Sequence, residues 1–204
     1  MLAAQPFQRD PGKPVVVVTG SSTVRFWRSH DRTFPDAQVV NTGFGGSTMD
    51  LLAEQYDGLI RRFEPDQVYI GSGDNDLAWG RSTADIVADT AWLLDRITAD
   101  RPETTVAIVA AKPSLQRWHL RDRYQALNAE FRAMAAQRPN VRYVDVWHGL
   151  LDERGRVRPE LYAADGLHLN RQGYRLYADT LATADAVSVR HSATGPAGAG
   201  QDSS

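Results

Sequence analysis

A serine, a histidine and an aspartate in this sequence have the types and spacing that nucleophilic catalysis uses. Ser22 lies in a Gly-Ser-Ser-Thr segment, and Asp165 and His168 form an Asp-x-x-His segment far along the chain. A serine hydroxyl becomes a nucleophile when a base takes its proton, and imidazole is the side chain whose ordinary pKa suits this near pH 7. Asp165 is close enough in sequence to His168 to accept a hydrogen bond from its other ring nitrogen. These residues predict acyl transfer through a Ser-His-Asp triad.

Two further polar segments could supply the hydrogen-bond donors that acyl transfer needs. The tetrahedral intermediate carries an oxyanion, which donors must meet. A glycine in the Gly-Phe-Gly-Gly-Ser segment that begins at Gly43 would let a backbone N–H approach closely. Asn75, in a Gly-Asp-Asn-Asp segment, can add a side-chain amide N–H. The backbone N–H of the nucleophilic serine would be a third donor.

Each segment taken alone also has an ordinary structural explanation. A serine after a strand often caps a helix, closely spaced glycines permit tight turns, and asparagine and aspartate are common turn residues. The conjunction of four segments favours the catalytic interpretation, because the fold would bring them together.

The elements that would position these segments alternate between two hydrophobic periods. Five apolar runs are typical of buried strands, at residues 15–19, 38–41, 67–71, 105–110 and 141–146. Between them lie stripes with helical spacing, which predict one continuous helix over 52–63 and a final helix from about 170 to 184.

This alternation predicts a flavodoxin-like, three-layer α/β sandwich. Its centre would be a five-stranded parallel sheet of order 2-1-3-4-5, with helices on both faces. Ligands of such sheets bind beyond the carboxyl ends of the strands. The four polar segments follow the first, second, third and fifth strands, so all four are expected at that edge.

Composition limits the function classes. The chain has 204 residues, no cysteine and a formal net charge of −2. A net charge this close to zero lacks the excess of positive charge that is typical of proteins that bind nucleic acid or anionic membranes. The lack of cysteine excludes a disulfide framework, a thiolate nucleophile and Cys-ligated metal sites. No apolar run approaches the roughly 20 residues that membrane insertion requires, and the first ten residues lack the pattern of a signal peptide, so a cytoplasmic location is expected.

The length suits one folded domain. We predict a polar lead-in over residues 1–13, the folded domain over 14–187 and a disordered tail over 188–204, which is rich in Gly, Ala and Ser. The sequence leaves the oligomeric state open.

The four segments resemble the consensus blocks of the SGNH hydrolases, also called GDSL-like lipases and acylhydrolases. The resemblance spans residues 14–184 with all blocks in order, and it implies the same flavodoxin-like fold and a serine esterase activity. By the match, Ser22 is the nucleophile, and Asp165 with His168 completes the triad. The backbone N–H groups of Ser22 and Gly46 and the amide of Asn75 would form the oxyanion hole.

The first block departs from the family pattern at one position. The family has Gly-Asp-Ser, whereas Ser21 stands here in the place of the aspartate. That aspartate is not a triad member, so its replacement does not exclude catalysis. Ser21 is left as an alternative nucleophile beside Ser22.

The expected reaction is hydrolysis of a small-molecule carboxylic ester through an acyl-enzyme, with no metal or organic cofactor. A core of fewer than 200 residues has little chain for a lid or a deep tunnel, which favours short acyl groups, acetyl first. Trp79 and Trp118 could line a substrate pocket. Arg25 could support the site by pairing with Asp74 or Asp76. The resemblance covers acetylated sugars, lysophospholipids, thioesters and aryl esters without separating them.

Two other interpretations of these residues remain. Asp74, Asp76, Asp165 and His168 could converge on a divalent ion in a metal-assisted hydrolase, although a second histidine at metal-site spacing is missing. A catalytically inactive ligand-binding protein on the same fold is the other alternative. A dinucleotide site is disfavoured, because the Gly-x-Gly after the second strand lacks the third glycine of the fingerprint.

Overall fold

Five strands form one parallel sheet in the order β2-β1-β3-β4-β5. The computed structural model describes residues 7–193. The strands are β1 (Val15–Gly20), β2 (Gln38–Asn41), β3 (Gln67–Gly71), β4 (Thr105–Val109) and β5 (Val141–Val144). Every pairing is parallel. The predicted flavodoxin-like α/β fold and its strand order are therefore confirmed.

Helices connect the strands and cover the sheet. They are α1 (Ser22–Arg25), α2 (His30–Thr33), α3 (Met49–Glu54), α4 (Tyr56–Leu59), α5 (Asp74–Ala78), α6 (Thr83–Asp100), α7 (Arg121–Ala136) and α8 (Arg171–Ala193). Short 3₁₀ turns lie at Arg61–Phe63, Trp118–Leu120, His148–Leu150 and Pro159–Leu161. Helix α6 contacts α3 and α7, whereas α8 contacts α2. Every residue of β1 is buried, as its β-branched run predicts for a central strand covered on both faces.

The helix predicted over residues 52–63 is broken into three pieces: α3, α4 and a 3₁₀ turn. The backbone leaves the helical conformation at Gln55 and at Ile60, and Gly58 between them has a low helix propensity. The apolar stripe that suggested one helix is nonetheless buried, at Leu52, Tyr56, Ile60 and Phe63. The pattern identified the core-facing residues correctly, but the prediction of one continuous helix was wrong.

The last helix is longer than predicted. It begins at Arg171 and continues to Ala193, whereas the sequence pattern placed its end near residue 184. The tail predicted over 188–204 therefore overlaps the end of α8, and residues 194–204 lie outside the described part of the chain. Residues 1–6 of the predicted lead-in also lie outside it.

No helix between residues 7 and 193 combines the length and the apolar composition that crossing a bilayer requires.

Candidate active site

The carboxyl ends of β1 and β3 meet at a pair of glycines. Gly20 and Gly71 are register partners, and a Cβ on Gly20 would lie 2.1 Å from the Gly71 carbonyl oxygen. Gly20 has a φ of +143°, which favours glycine. The Ser21 N–H donates to the same Gly71 carbonyl at 3.0 Å, and the chain then enters α1 with Ser22 as its first residue. This close approach of the two strands fixes the point at which the chain leaves the sheet, just before Ser22.

The structure brings Ser22, His168 and Asp165 into one hydrogen-bonded row. His168 Nε2 lies 3.0 Å from Ser22 Oγ, across 146 positions of sequence. On the other side of the ring, His168 Nδ1 lies 2.6 Å from Asp165 Oδ2. The row has the order and the distances that proton transfer from a serine to an imidazole needs.

The Asp165 carboxylate is held by its own loop. Its Oδ1 accepts the backbone N–H groups of Leu167 and His168, at 2.9 and 3.0 Å. The hydrogen bond from the His168 ring, with these two backbone bonds, lowers the pKa of Asp165 to about 2. Asp165 is therefore an anion at every pH at which the site would work.

Ser21 occupies a different environment from its neighbour. It is 1% exposed and lines a small cavity of about 10 Å³ beneath the site, together with Tyr177 and Lys112. Of the two adjacent serines, only Ser22 has its Oγ within hydrogen-bond distance of the His168 ring.

Two of the predicted oxyanion-hole residues, Gly46 and Asn75, meet at the loop after β2. Gly46 has a φ of +76°. The backbone carbonyl of the next residue, Ser47, accepts a hydrogen bond from Asn75 Nδ2 at 3.0 Å. Asn75 is buried, and Nδ2 carries a second hydrogen that this bond does not use. Among the described residues, neither the Ser22 N–H nor the Gly46 N–H donates a hydrogen bond, so both amides are available to a ligand.

Arg117 fixes the orientation of the Asn75 amide. Both terminal guanidinium nitrogens lie 3.1 Å from Asn75 Oδ1. Because arginine can only donate, the atom that faces it must be the amide oxygen, and Nδ2 must point the other way. Arg117 also contacts the Asp74 carboxylate at 3.3 Å, and its side chain is only 15% exposed.

The arginine partners of the two aspartates beside Asn75 differ from the prediction. Asp74 pairs with Arg117, and Asp76 pairs with Arg81 at 2.9 Å. Pairing of Arg25 with either aspartate was therefore wrong. Arg25 ends the short helix α1, and its guanidinium lies 5.6 Å from the centroid of the neighbouring Phe26 ring, which Arg25 overlies.

The Asp76 carboxylate is fully buried and serves the loop after β2. It accepts the Met49 N–H at 3.0 Å as well as the Arg81 guanidinium. Burial raises its pKa, against the effect of these two donors. With both aspartates engaged by arginines, the described residues contain no group of three or more His, Asp or Glu that could hold a metal ion. The metal-assisted alternative thus lacks a ligand set in this part of the chain.

The segment after β4 braces the Asp165–His168 loop. The ammonium group of Lys112 donates to the Leu167 carbonyl at 2.7 Å, and the Gln116 N–H donates to the Gly166 carbonyl at 3.1 Å. Burial lowers the pKa of Lys112 to about 8. A buried cation thus lies beneath the loop that carries the imidazole.

Sequence reasoning missed Arg117 and Lys112, although each carried a signal. Lys112 is a charged residue in an Ala-Ala-Lys-Pro segment that directly follows a buried strand, and the chain contains only one other lysine. Arg117 follows on the same segment, which also lies at the carboxyl edge of the sheet. The fourth strand-end segment could therefore have been included with the other four.

The two tryptophans expected at a substrate pocket have different positions. Trp79 is 62% exposed, and its ring lies 3.5 Å from the position that a Cβ on Gly46 would take. Trp118 stacks on the buried Trp147, with ring centroids 6.0 Å apart. Trp79 therefore borders the predicted oxyanion hole, Trp118 packs against Trp147, and a place for either ring in a substrate pocket stays a prediction.

Comparison with known proteins gives a family match over most of the chain. Residues 11–176 match the model of the GDSL-like lipase/acylhydrolase family. One curated relative is the platelet-activating factor acetylhydrolase IB subunit alpha1 of Pongo abelii. It is 26% identical over 171 residues, which cover 79% of this chain and 71% of the relative.

Two solved structures share the fold. A candidate acylhydrolase of Bacteroides fragilis superposes with a TM-score of 0.78 at 19% identity, covering 91% of this chain and 93% of its own. A GDSL-like lipase of Bacteroides thetaiotaomicron gives a TM-score of 0.74 at 20% identity, covering 86% and 89%. At these identities the likeness establishes the fold alone.

Proposed function

This chain belongs to the GDSL-like lipase/acylhydrolase family and is an ester hydrolase, and on that premise we propose that it is a serine esterase with Ser22 as nucleophile. The observation that carries the proposal is the 3.0 Å contact between Ser22 Oγ and His168 Nε2. The half-exposed Asp165 carboxylate behind the ring supports it, since this partner holds Nδ1 protonated and leaves Nε2 free to take the serine proton.

The reaction proceeds in two acyl transfers. His168 Nε2 takes the Ser22 proton as Oγ bonds to the ester carbonyl carbon, and the carbonyl oxygen becomes an oxyanion. The Ser22 N–H, the Gly46 N–H and the Asn75 amide stabilise that charge. The imidazolium then gives its proton to the departing alcohol, which leaves an acyl-enzyme. Water attacks the acyl carbon, gives a proton to His168 and releases the acid, and Ser22 recovers its proton.

We propose short acyl groups, with acetyl as the preferred one. The named curated relative is an acetylhydrolase. Ser22 is the first residue of α1, close to the edge of the sheet. The indole of Trp79 lies 3.5 Å from the position that a Cβ on Gly46 would take. A single exposed ring at this position offers contact area for an acyl group of a few carbons.

Covalent labelling with a fluorophosphonate, read by intact mass, tests the nucleophile without a choice of substrate. Wild type is expected to gain one label, Ser21→Ala is expected to gain the same label, and Ser22→Ala is expected to gain none. Labelling lost only in Ser21→Ala would move the nucleophile by one residue. An unlabelled wild type with an intact fold would reject a serine hydrolase.

Acyl preference is measured with 4-nitrophenyl acetate, butyrate and octanoate. The proposal expects kcat/KM to be highest for the acetate and to fall with chain length. A rise from acetate to octanoate would contradict the short-acyl assignment while leaving the nucleophile assignment intact.

A further inference from the structure

A cleft of about 690 Å³ lies between the segment that includes α2 and the first turns of α8. Four arginines line it: Arg28, Arg32, Arg171 and Arg175. The two sides of the cleft come from distant parts of the sequence, and neither side alone would concentrate this charge.

None of these four arginines forms an ion pair within the described residues. Arginines elsewhere on the surface do, such as Arg138 with Asp95 and Arg158 with Glu160. Asp179 is the acidic residue among the cleft-lining side chains. The whole chain has a net charge of −2, so a local excess of cations is not a consequence of overall composition.

The cleft adjoins the catalytic row. Phe26 lines it with 42% of its surface exposed, and its ring makes a T-shaped contact with the His168 ring, with centroids 5.4 Å apart. Tyr174 lines it too, and its hydroxyl donates to the carbonyl of Thr23, next to Ser22, at 2.9 Å. The inner wall of the cleft is thus one aromatic ring away from the imidazole.

The position beside His168 indicates which part of an ester would extend into the cleft. In the proposed mechanism His168 protonates the leaving alcohol, so the alcohol portion of the substrate lies on the imidazole side. A guanidinium matches the oxygen atoms of phosphate, sulfate and carboxylate groups with paired N–H donors. Several unpaired guanidinium groups around one cleft therefore favour an anionic oxygen-rich group over a neutral one.

We propose that this arginine-lined cleft binds an anionic phosphate, sulfate or carboxylate group on the alcohol portion of the ester substrate. The inference rests on the proposed function for the direction of the substrate. The natural substrate is then an acyl ester whose alcohol portion carries an anionic group.

Matched acetate esters test the proposal through turnover. The anionic substrates are 4-acetoxyphenyl phosphate, 4-acetoxybenzenesulfonate and 4-acetoxybenzoate, and the neutral reference is methyl 4-acetoxybenzoate. Arg32→Gln and Arg175→Gln are each expected to lower kcat/KM for the best anionic ester by roughly three- to tenfold at low salt and to leave the neutral ester unchanged. Asp179→Asn, which removes the negative charge, is expected to act in the opposite direction.

Arg154→Gln is the matched control, because Arg154 is exposed, forms no ion pair among the described residues and is not part of the cleft lining. It removes the same charge from the chain. An equal loss in Arg154→Gln and in the cleft variants would overturn the proposal, as would equal effects of the cleft variants on anionic and neutral esters.

A binding measurement separates this inference from the esterase assignment. Calorimetric titration of Ser22→Ala with phenyl phosphate, benzenesulfonate and benzoate needs no turnover. Binding of one of these anions that weakens in Ser22→Ala/Arg175→Gln supports the cleft even if the esterase proposal fails, and the tightest anion identifies the group. If Ser22→Ala binds none of them while wild type hydrolyses the neutral ester, the cleft proposal is overturned and the esterase assignment is left intact.

Discussion

Both terminal guanidinium nitrogens of Arg117 lie 3.1 Å from the side-chain oxygen of Asn75, a residue 42 positions away in the sequence. This contact decides which end of the Asn75 amide is the donor at the predicted oxyanion hole, since a guanidinium cannot accept a hydrogen bond. It also draws electron density from the amide through its oxygen, which strengthens the N–H groups as donors. We therefore treat Arg117 as a positioning residue for Asn75.

Asn75→Ala is expected to lower kcat on the order of 10²–10³-fold with a small change in KM, because its amide would meet charge that develops only in the transition state. Steady-state kinetics with 4-nitrophenyl acetate measure both constants. A variant with unchanged kcat would remove the Asn75 amide from the oxyanion hole.

Arg117→Met is expected to lower kcat by about tenfold or more, because the released amide can rotate away from its donor orientation. A double-mutant cycle separates this from a general structural effect. In the Asn75→Ala background the same substitution is expected to cost little further activity, since the group through which Arg117 acts is already absent.

Arg123→Met provides the control for the cycle. Arg123 lies on α7 nearby, and its guanidinium donates to the carbonyls of Leu77 and Arg81 rather than to Asn75. Its loss is expected to lower stability while kcat stays close to wild type. Additive effects of Arg117→Met and Asn75→Ala would contradict the positioning role.

The pH dependence of activity is expected to be free of any contribution from Asp165 above pH 4. Because the pKa of Asp165 is about 2, this carboxyl stays ionised in that range, and a pH–activity profile of wild type is expected to show a limb from Asp165 only below pH 4. Asp165→Asn is expected to lower kcat by as much as about 10⁴-fold, since the amide would favour the wrong imidazole tautomer. Wild-type kcat in this variant would contradict a role for the carboxylate.

The same lowered pKa has a consequence for stability. The folded protein holds a proton on Asp165 less readily than an ordinary carboxyl of pKa 3.8 does, so the carboxylate stabilises the fold above that pH. This contribution is lost as the pH falls toward 2. Urea unfolding of wild type and Asp165→Asn is expected to show a stability difference at pH 6 that shrinks between pH 4 and 2.

Lys112 is expected to make stability rise with pH on the alkaline side. Its pKa falls from 10.5 to about 8 on folding, so the unfolded chain binds more protons between these values. Deprotonation relieves the burial of the ammonium group, and the free energy of unfolding should rise by up to about 3 kcal/mol from this group alone.

Lys112→Met removes the titrating group and keeps an apolar chain of similar length. The difference in unfolding free energy between wild type and this variant, measured in urea at pH 7, 8 and 9.5, is expected to move in favour of wild type as the pH rises. Parallel pH profiles of the two proteins would show that Lys112 titrates alike in the folded and unfolded states.

Arg81→Met is expected to destabilise the fold on the order of 3 kcal/mol, because it leaves the buried Asp76 carboxylate without its cation. Asp76→Asn in the same protein is expected to recover part of this loss, since a neutral amide costs less to bury than an unpaired anion. Guanidinium unfolding measures both effects. Equal stabilities of Arg81→Met with and without Asp76→Asn would contradict a charge-based penalty.

Local sequence determined much of the fold and part of the candidate site. The β-branched runs and the helical stripes between them led to the parallel sheet and its order, because apolar periodicity and short connections allow few other topologies. Asp165 and His168 are three positions apart, so a single turn suffices to join the carboxylate to the ring. The edge at which Ser22 and Asn75 gather also followed from strand direction alone.

Tertiary structure decided what depends on distant parts of the chain. Whether Ser21 or Ser22 faces the imidazole depends on how the chain leaves the Gly20–Gly71 contact, which no local pattern encodes. Arg117 rather than Arg25 reaches Asp74, because the segment after β4 folds back over the third-strand loop. The arginine-lined cleft likewise exists only where α2 meets α8. Ion pairs and clefts arise from surfaces that meet after folding, and their partners are chosen by packing rather than by spacing in the sequence.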